Sequence, residues 1–276
     1  MNRNEREKKK KTAVVFYISI AALAAVLVAC LLYLAMCTPL FKKDPGRPED
    51  ADTVTLPPVT TGKPQTETAE DTTETTEIEL PENPVNFSKQ MALNDEIYAW
   101  IYVPNTNVNY PILQSRVDDL YYLRRGLDKE YDISGVVFTQ SHNKRDFSDP
   151  VTLVYGHNMT EYGTMFATLH NFENEDFFEE NDTFYIFTPG HILTYKIVSA
   201  YRYDDRHIMN SFNFGDPAVV REYFDYVMNP TMIPQNVREG VTLKDDDRIV
   251  VLSTCMETSE YRYLVNGVLI SDEKTK

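Results

Sequence analysis

The amino-acid sequence predicts a mainly β domain, a barrel or sandwich of eight short strands, held outside the cell by one membrane-spanning helix. Three observations predict this. Eight apolar clusters separated by turn residues lie between residues 99 and 270, the pattern of short strands in closed or packed sheets. Residues 13–37 carry no charged side chain, and about 20 apolar residues suffice for a helix to span a bilayer. Between the two, residues 38–86 are rich in Thr, Pro and Glu with few large apolar side chains, too little to offset the entropy of ordering.

Taken in order, residues 1–12 form a basic tail in which Arg3, Arg6 and Lys8 to Lys11 outnumber Glu5 and Glu7, so this end is expected in the cytoplasm. The apolar run of 13–37 is longer than the roughly 7–15 residues of a signal-peptide core, which favours an uncleaved single-pass anchor. The prolines and like charges of 38–86 favour an extended tether. Formal charge is +6 over 1–43, −9 over 44–86 and −12 over 87–276, which makes the total of −15. A domain so acidic is a poor match for nucleic acid.

The globular part is expected over 87–276, as a soluble monomeric domain. Phe87, Met91, Leu93, Ile97, Trp100 and Ile101 suggest one or two short helices, with Asn94 or Asp95 as a cap. The strand clusters follow at 99–103, 108–113, 136–139, 152–155, 183–187, 193–200, 249–252 and 262–270. Between the sixth and seventh, residues 217–228 have apolar side chains at helical spacing after Asp216 and Pro217, which predicts an inserted helix.

Cysteine usage directs attention to one end of this domain. Cys30 and Cys37 fall in the membrane segment, which leaves Cys255 as the only cysteine of the exported part and rules out a disulfide within it. A free thiol in an oxidising exterior is a liability unless it is used. Cys255 follows the apolar run at 249–252 and the polar Ser253 and Thr254, so it stands at a strand end. After a short connection a second strand starts at Arg262, with Leu264, Asn266, Val268 and Ile270 on the same face. Arg238 and Arg248 are rivals to Arg262, but only Arg262 begins the strand that returns beside the cysteine. Among five histidines, His157 ends the run VTLVYGH and mirrors Cys255 at a strand end, whereas His142, His170, His191 and His207 lie in loops, turns or helix-like segments; His207, in DDRH, fits a surface position best.

These residues sit within longer blocks that resemble a known family, the class B sortases, membrane-anchored cysteine transpeptidases of Gram-positive bacteria. The matching blocks are LNDEIYAWIYVPNTNVNYPILQ from residue 93, YYL at 121–123, SGVVF at 134–138, LVYGHNM at 153–159, GTMF at 163–166, LSTC at 252–255 and Arg262. The resemblance implies an eight-stranded sortase barrel with N-terminal helices and an inserted helix. It implies Cys255 as nucleophile, His157 as acid and base, and Arg262 as the group that stabilises the oxyanion, with Tyr155, Ser253 and Thr254 lining the substrate groove. The donor it implies is a C-terminal sorting signal of NPxTx type, and the acceptor an amine of a peptidoglycan precursor. A pilin-linking sortase is the alternative within the family.

The chemistry suits those residue types. A thiol of ordinary pKa, about 8.5, is little ionised at neutral pH, and a neighbouring imidazolium favours the thiolate. The same imidazolium can protonate a departing amine, and a permanently charged guanidinium can stabilise a tetrahedral oxyanion. A papain-like or caspase-like endopeptidase would share Cys and His, but neither local signature is present. A surface adhesin would explain anchor and tether but not the two polar strand ends. The acidic runs at 245–247 and 204–205 lack the alternation of a calcium loop, and no zinc spacing or phosphate-binding glycine loop occurs. No metal and no cofactor are therefore expected.

Overall fold

The computed structural model describes residues 16–18, 20–33, 44, 46–48, 50–51, 54, 80–255 and 260–276. The chain divides into two compact units, Met1–Asp44 and Pro45–Lys276. In the first, helix α1 (Phe16–Tyr33) has a mean hydropathy of 2.4 and is long and apolar enough to cross a membrane. The expected basic tail, the two ends of the expected span and most of the expected tether lie outside the described residues.

The second unit begins its regular structure with helix α2 (Phe87–Leu93), capped by Asn86, whose side chain accepts a hydrogen bond from the Lys89 backbone N–H. Strands β1 (Ile97–Tyr102), β2 (Asn109–Leu113) and β3 (Val151–Tyr155) follow, then a hairpin of β4 (Asn158–Met159) and β5 (Thr164–Met165), a 3-10 segment at Ala167–Glu173 and helix α3 (Glu175–Glu180). The remainder comprises β6 (Thr183–Thr188), β7 (His191–Asp204), helices α4 (Ile208–Ser211) and α5 (Pro217–Met228), β8 (Gln235–Val237), β9 (Ile249–Cys255) and β10 (Tyr261–Lys274).

The main sheet runs β2-β1-β6-β7-β10-β9-β3, with β8 paired to β7. All its pairings are antiparallel except β3 with β9. The long pair β7 and β10 carries irregularities at Asn266/Gly267 and Leu269/Ser271, and such bulges bend and twist a ribbon. The curled sheet is joined across its two edges by residues 136–139. Leu113 N–H donates to Val137 O and Thr139 N–H to Leu113 O, while Phe138 and Tyr155 exchange backbone bonds of 3.0 and 2.8 Å.

Side chains alternate between two buried surfaces. Ala99, Ile101, Ile112, Val154, Ile186, Ile197, Val250, Leu252 and Val265 fill the interior of the curl. Val151, Leu153, Val198, Tyr201, Ile249, Val251 and Leu264 face outward and are covered by Val220, Tyr223, Phe224 and Val227 of α5. Those four recur at helical spacing, Asp216 caps the helix by accepting from Ala218 N–H, and Pro217 occupies its first turn. A helix thus spans the residues expected to be helical, 217–228.

Several expectations are corrected. Ile97, Trp100 and Ile101 lie in β1 rather than in a helix, and Asn94 closes α2 at its C-terminal end while Asn86 is the N-cap. β1 is buried on both faces, with Ala99 and Ile101 inside and Trp100 in a separate cluster with Val85, Phe87, Phe187 and Ile192. A doubly buried strand loses the apolar/polar alternation that would identify it. Residues 136–139 act as single bridges rather than a strand, β7 extends well beyond 193–200, and β4, β5 and β8 are additional. Parts of the stretch read as linker pack on this unit: Ala51 and Val85 are buried, and Lys276 N–H donates to Pro81 O.

Candidate active site

β3 and β9 lie side by side and parallel, with Tyr155 opposite Ser253. Gly156 N–H continues the ladder to Ser253 O at 3.2 Å. Two residues beyond the last pair stand His157 on one strand exit and Cys255 on the other, so the backbone brings both to the same end of the sheet. β10 approaches β9 from the other side in antiparallel register, with Arg262 directly opposite Cys255. The strand exit at Gly156 depends on its missing Cβ, which would stand 2.6 Å from the buried Phe166 ring.

A cavity of about 200 Å³ opens at this end. His157, Arg262, Tyr155, Ser253 and Thr254 all line it, together with Leu120, Leu123, Phe138, Leu153 and Ile208. Apolar walls with a few convergent polar groups are the usual make-up of a ligand site. His157, Arg262 and Tyr155 are each held by hydrogen bonds. His157 Nε2 lies 2.7 Å from Leu123 O; a carbonyl only accepts, so Nε2 carries the hydrogen and Nδ1 is the nitrogen left to gain or lose a proton. Arg262 is half-buried and donates from Nη1 to Tyr261 O at 3.2 Å.

Tyr155 stacks on Phe138 with ring centroids 5.4 Å apart, and its hydroxyl donates to Gln140 Oε1 at 3.4 Å. Burial pushes the phenol far above its ordinary range, with Asp119 adding to the rise and Arg262 opposing it, so the group stays neutral. Thr254 is 2 % exposed, and its Oγ1 has no hydrogen-bond partner among the described residues. Asp119 lies nearby. Burial raises its pKa, but bonds from Ser141 and the proximity of His142 and His207 outweigh that and hold the carboxyl below the usual range.

The rival residues are occupied elsewhere. Arg238, 8 % exposed, spends its guanidinium on Ile197 O, Phe178 O and Glu179 and stacks on Phe178. Arg248 precedes the opposite end of β9, in a cleft with Tyr98 and Asp272. His170 is held between Glu173 and Asn158 and stacks on Tyr263; His191 pairs with Asp272 at the start of β7; His142 faces Asp119 at 3.6 Å. His207 corrects the sequence reading. It caps α4 by accepting from Asn210 N–H, yet it also forms part of the cavity wall with Asp205 and Arg206. Leu120 and Leu123 were also not anticipated; the YYL block at 121–123 was the only sign that this loop reaches the site.

The chain is similar to a set of known proteins. A family model described as Sortase domain matches residues 101–270. A curated relative, Sortase B of Listeria monocytogenes, is 29% identical over 182 residues, covering 65% of this chain and 72% of that protein. Sortase B of Staphylococcus aureus is 26% identical over 169 residues, covering 61% and 67%. Among solved structures, Clostridium perfringens sortase B superposes with a TM-score of 0.61 at 28% identity over 67% of this chain and 100% of that one. A Streptococcus pyogenes class B sortase involved in pilus biogenesis does so at 0.56 and 30%, over 67% and 98%.

Proposed function

The chain belongs to the sortase family, as a class B sortase-type cysteine transpeptidase, and from that premise we propose how its residues carry out the reaction and on what. The observation that carries the proposal is the shared register of β3, β9 and β10, which gathers His157, Cys255 and Arg262 at one sheet end. The Cys255 thiolate attacks the scissile carbonyl of an NPxTx-type sorting signal, forming a C–S bond and a tetrahedral oxyanion beside the Arg262 guanidinium. Collapse breaks the C–N bond, and His157 Nδ1 gives its proton to the departing amine. The resulting thioester is attacked by an amine of a peptidoglycan precursor, with Nδ1 now accepting the proton, and the thiolate is released.

Tyr155, Ser253 and Thr254 hold the donor peptide in this scheme; Thr254 Oγ1, which has no hydrogen-bond partner among the described residues, supports a polar contact there. α1 fits a single-pass anchor, with the catalytic domain outside and the N-terminus in the cytoplasm, and the unit works as a monomer. Transfer to a pilin amine is the second reading, supported by the involvement of the S. pyogenes neighbour in pilus biogenesis.

Incubating the full chain in detergent with an NPxTx-type peptide, with and without an amine acceptor, tests the reaction type. The expected outcome is a product containing the amine, and slow hydrolysis without it. Products that never incorporate the amine would make the chain an endopeptidase.

Arg262→Ala is expected to lower turnover by about 100- to 1000-fold, the usual cost of an oxyanion donor. Arg262→Lys should recover little of it, because an ammonium on the same strand root lacks the planar donor fork. The loss should fall on the acylation rate, with peptide affinity changed less. Single-turnover acylation checks this. A loss that tracks thermal unfolding of the same samples would reduce Arg262 to a structural role.

A further inference from the structure

We propose that residues 46–48 and 50–51 belong to a strap that clips the membrane-proximal end of the tether onto the barrel and so shortens the connection between anchor and catalytic domain; this consequence, though not the docking, rests on the single-pass reading above. Gly46, Pro48 and Ala51 are buried. Gly46 lies so close to Met165 that a Cβ there would collide with the methionine side chain, and it also approaches Gly135 O.

Ala51 is 1 % exposed and sits in the cluster of Trp100, Phe87, Phe187 and Ile192. Its carbonyl accepts from Asn109 Nδ2 at 2.8 Å, while Asn109 Oδ1 accepts from Trp100 Nε1 at 2.6 Å. Asn109 is itself 6 % exposed, so its amide is a buried polar reader aimed at the strap backbone. Asp50 adds a 2.8 Å ion pair with Lys89 and accepts from Gln90 Nε2. The strap's buried small residues, the Ala51 carbonyl and the Asp50 carboxylate are matched by a prepared surface on β1, β2 and α2.

The consequence is one of chain length. Residues 34–45 separate the end of α1 from Gly46, and at about 3.6 Å each they reach at most ~43 Å. If the domain were attached only from Leu80 onward, residues 34–79 would reach at most ~166 Å by the same measure. A shorter connection raises the effective concentration of the domain at the membrane surface.

Trp100 is the only tryptophan in the chain and lies under the strap, so it reports docking without any label. The test uses the full chain and two point variants, Ala51→Asp and Asn109→Asp, plus a chain with 46–54 replaced by Gly/Ser of equal length. Asn109→Asp keeps the acceptor for Trp100 but sets an oxygen against the Ala51 carbonyl. All three should shift tryptophan emission to longer wavelength and increase acrylamide quenching, with thermal unfolding still cooperative. In vesicles containing a dansyl lipid, energy transfer from Trp100 should fall in all three. Emission and quenching unchanged from the parent chain would overturn the docking. Altered emission with unchanged transfer would overturn the tether role. Neither readout depends on catalysis, so failure here is distinct from failure of the proposed reaction.

Discussion

Cys255→Ala is expected to abolish turnover of a sorting peptide, and its effect should be the largest of any single substitution. In the proposed mechanism the thiolate makes the covalent bond that divides one difficult acyl transfer into two easier ones, and alanine leaves no atom to do so. Loss of a covalent nucleophile in an enzyme with an intact oxyanion site costs on the order of 10⁶ in turnover. No other cysteine lies beyond residue 37, so none can substitute. Methanethiosulfonate reagents should inactivate the parent chain and leave the variant unmodified outside the membrane segment. Hydroxylamine should release an acyl group from the parent chain mixed with peptide. Peptide cleavage by the alanine variant at near-parental rate would remove Cys255 from the mechanism.

His157→Gln should give the second largest loss, about 10²- to 10⁴-fold, the range for a positioned acid and base. The argument rests on two features of the backbone. The parallel pairing of Tyr155 with Ser253 carries residue 157 to the level of residue 255, and the Leu123 carbonyl fixes Nε2–H, which commits Nδ1 to proton transfer. The rate should show a bell-shaped pH dependence that belongs to the coupled thiol and imidazole pair. Nitrogen NMR of labelled His157 should find Nε2 protonated on both sides of that titration. His142→Gln, His170→Gln and His191→Gln should retain most activity. His207→Gln should also retain turnover, while changing peptide affinity because it lines the cavity. A larger loss in turnover at any of these four than at His157 would identify a different imidazole.

Much of this was legible in the chain because local signals agreed with the fold. Asp216, Pro217 and the apolar spacing that follows mark α5 within the sequence itself. The apolar run before Ser253 marks β9, and Cys255, the one cysteine beyond residue 37, ends it. β1 was less legible. Both its faces are buried, so IYAWIY carries neither a clean period of two nor one of 3.6, and its identity depends on what covers Trp100 from outside.

Composition and periodicity alone determined a charge-free span, an acidic domain of short strands, a helix at 217–228 and a cysteine at a strand end. These are properties of consecutive residues. Only the tertiary structure supplies the strand register that brings the backbone of His157 and Arg262 to the sheet end where residue 255 stands. Register sets Arg262 opposite Cys255, carbonyl bonds occupy the buried Arg238, and Arg248 lies at the far end of β9. His207, polar in its neighbours, reaches the cavity because a connection folds over the sheet end, and the Leu123 carbonyl orients His157 although a backbone oxygen has no signature in sequence. The physical reason is that pairing between distant strands is chosen by burial of whole faces, a sum over the entire sheet, whereas a motif reports only its own few residues.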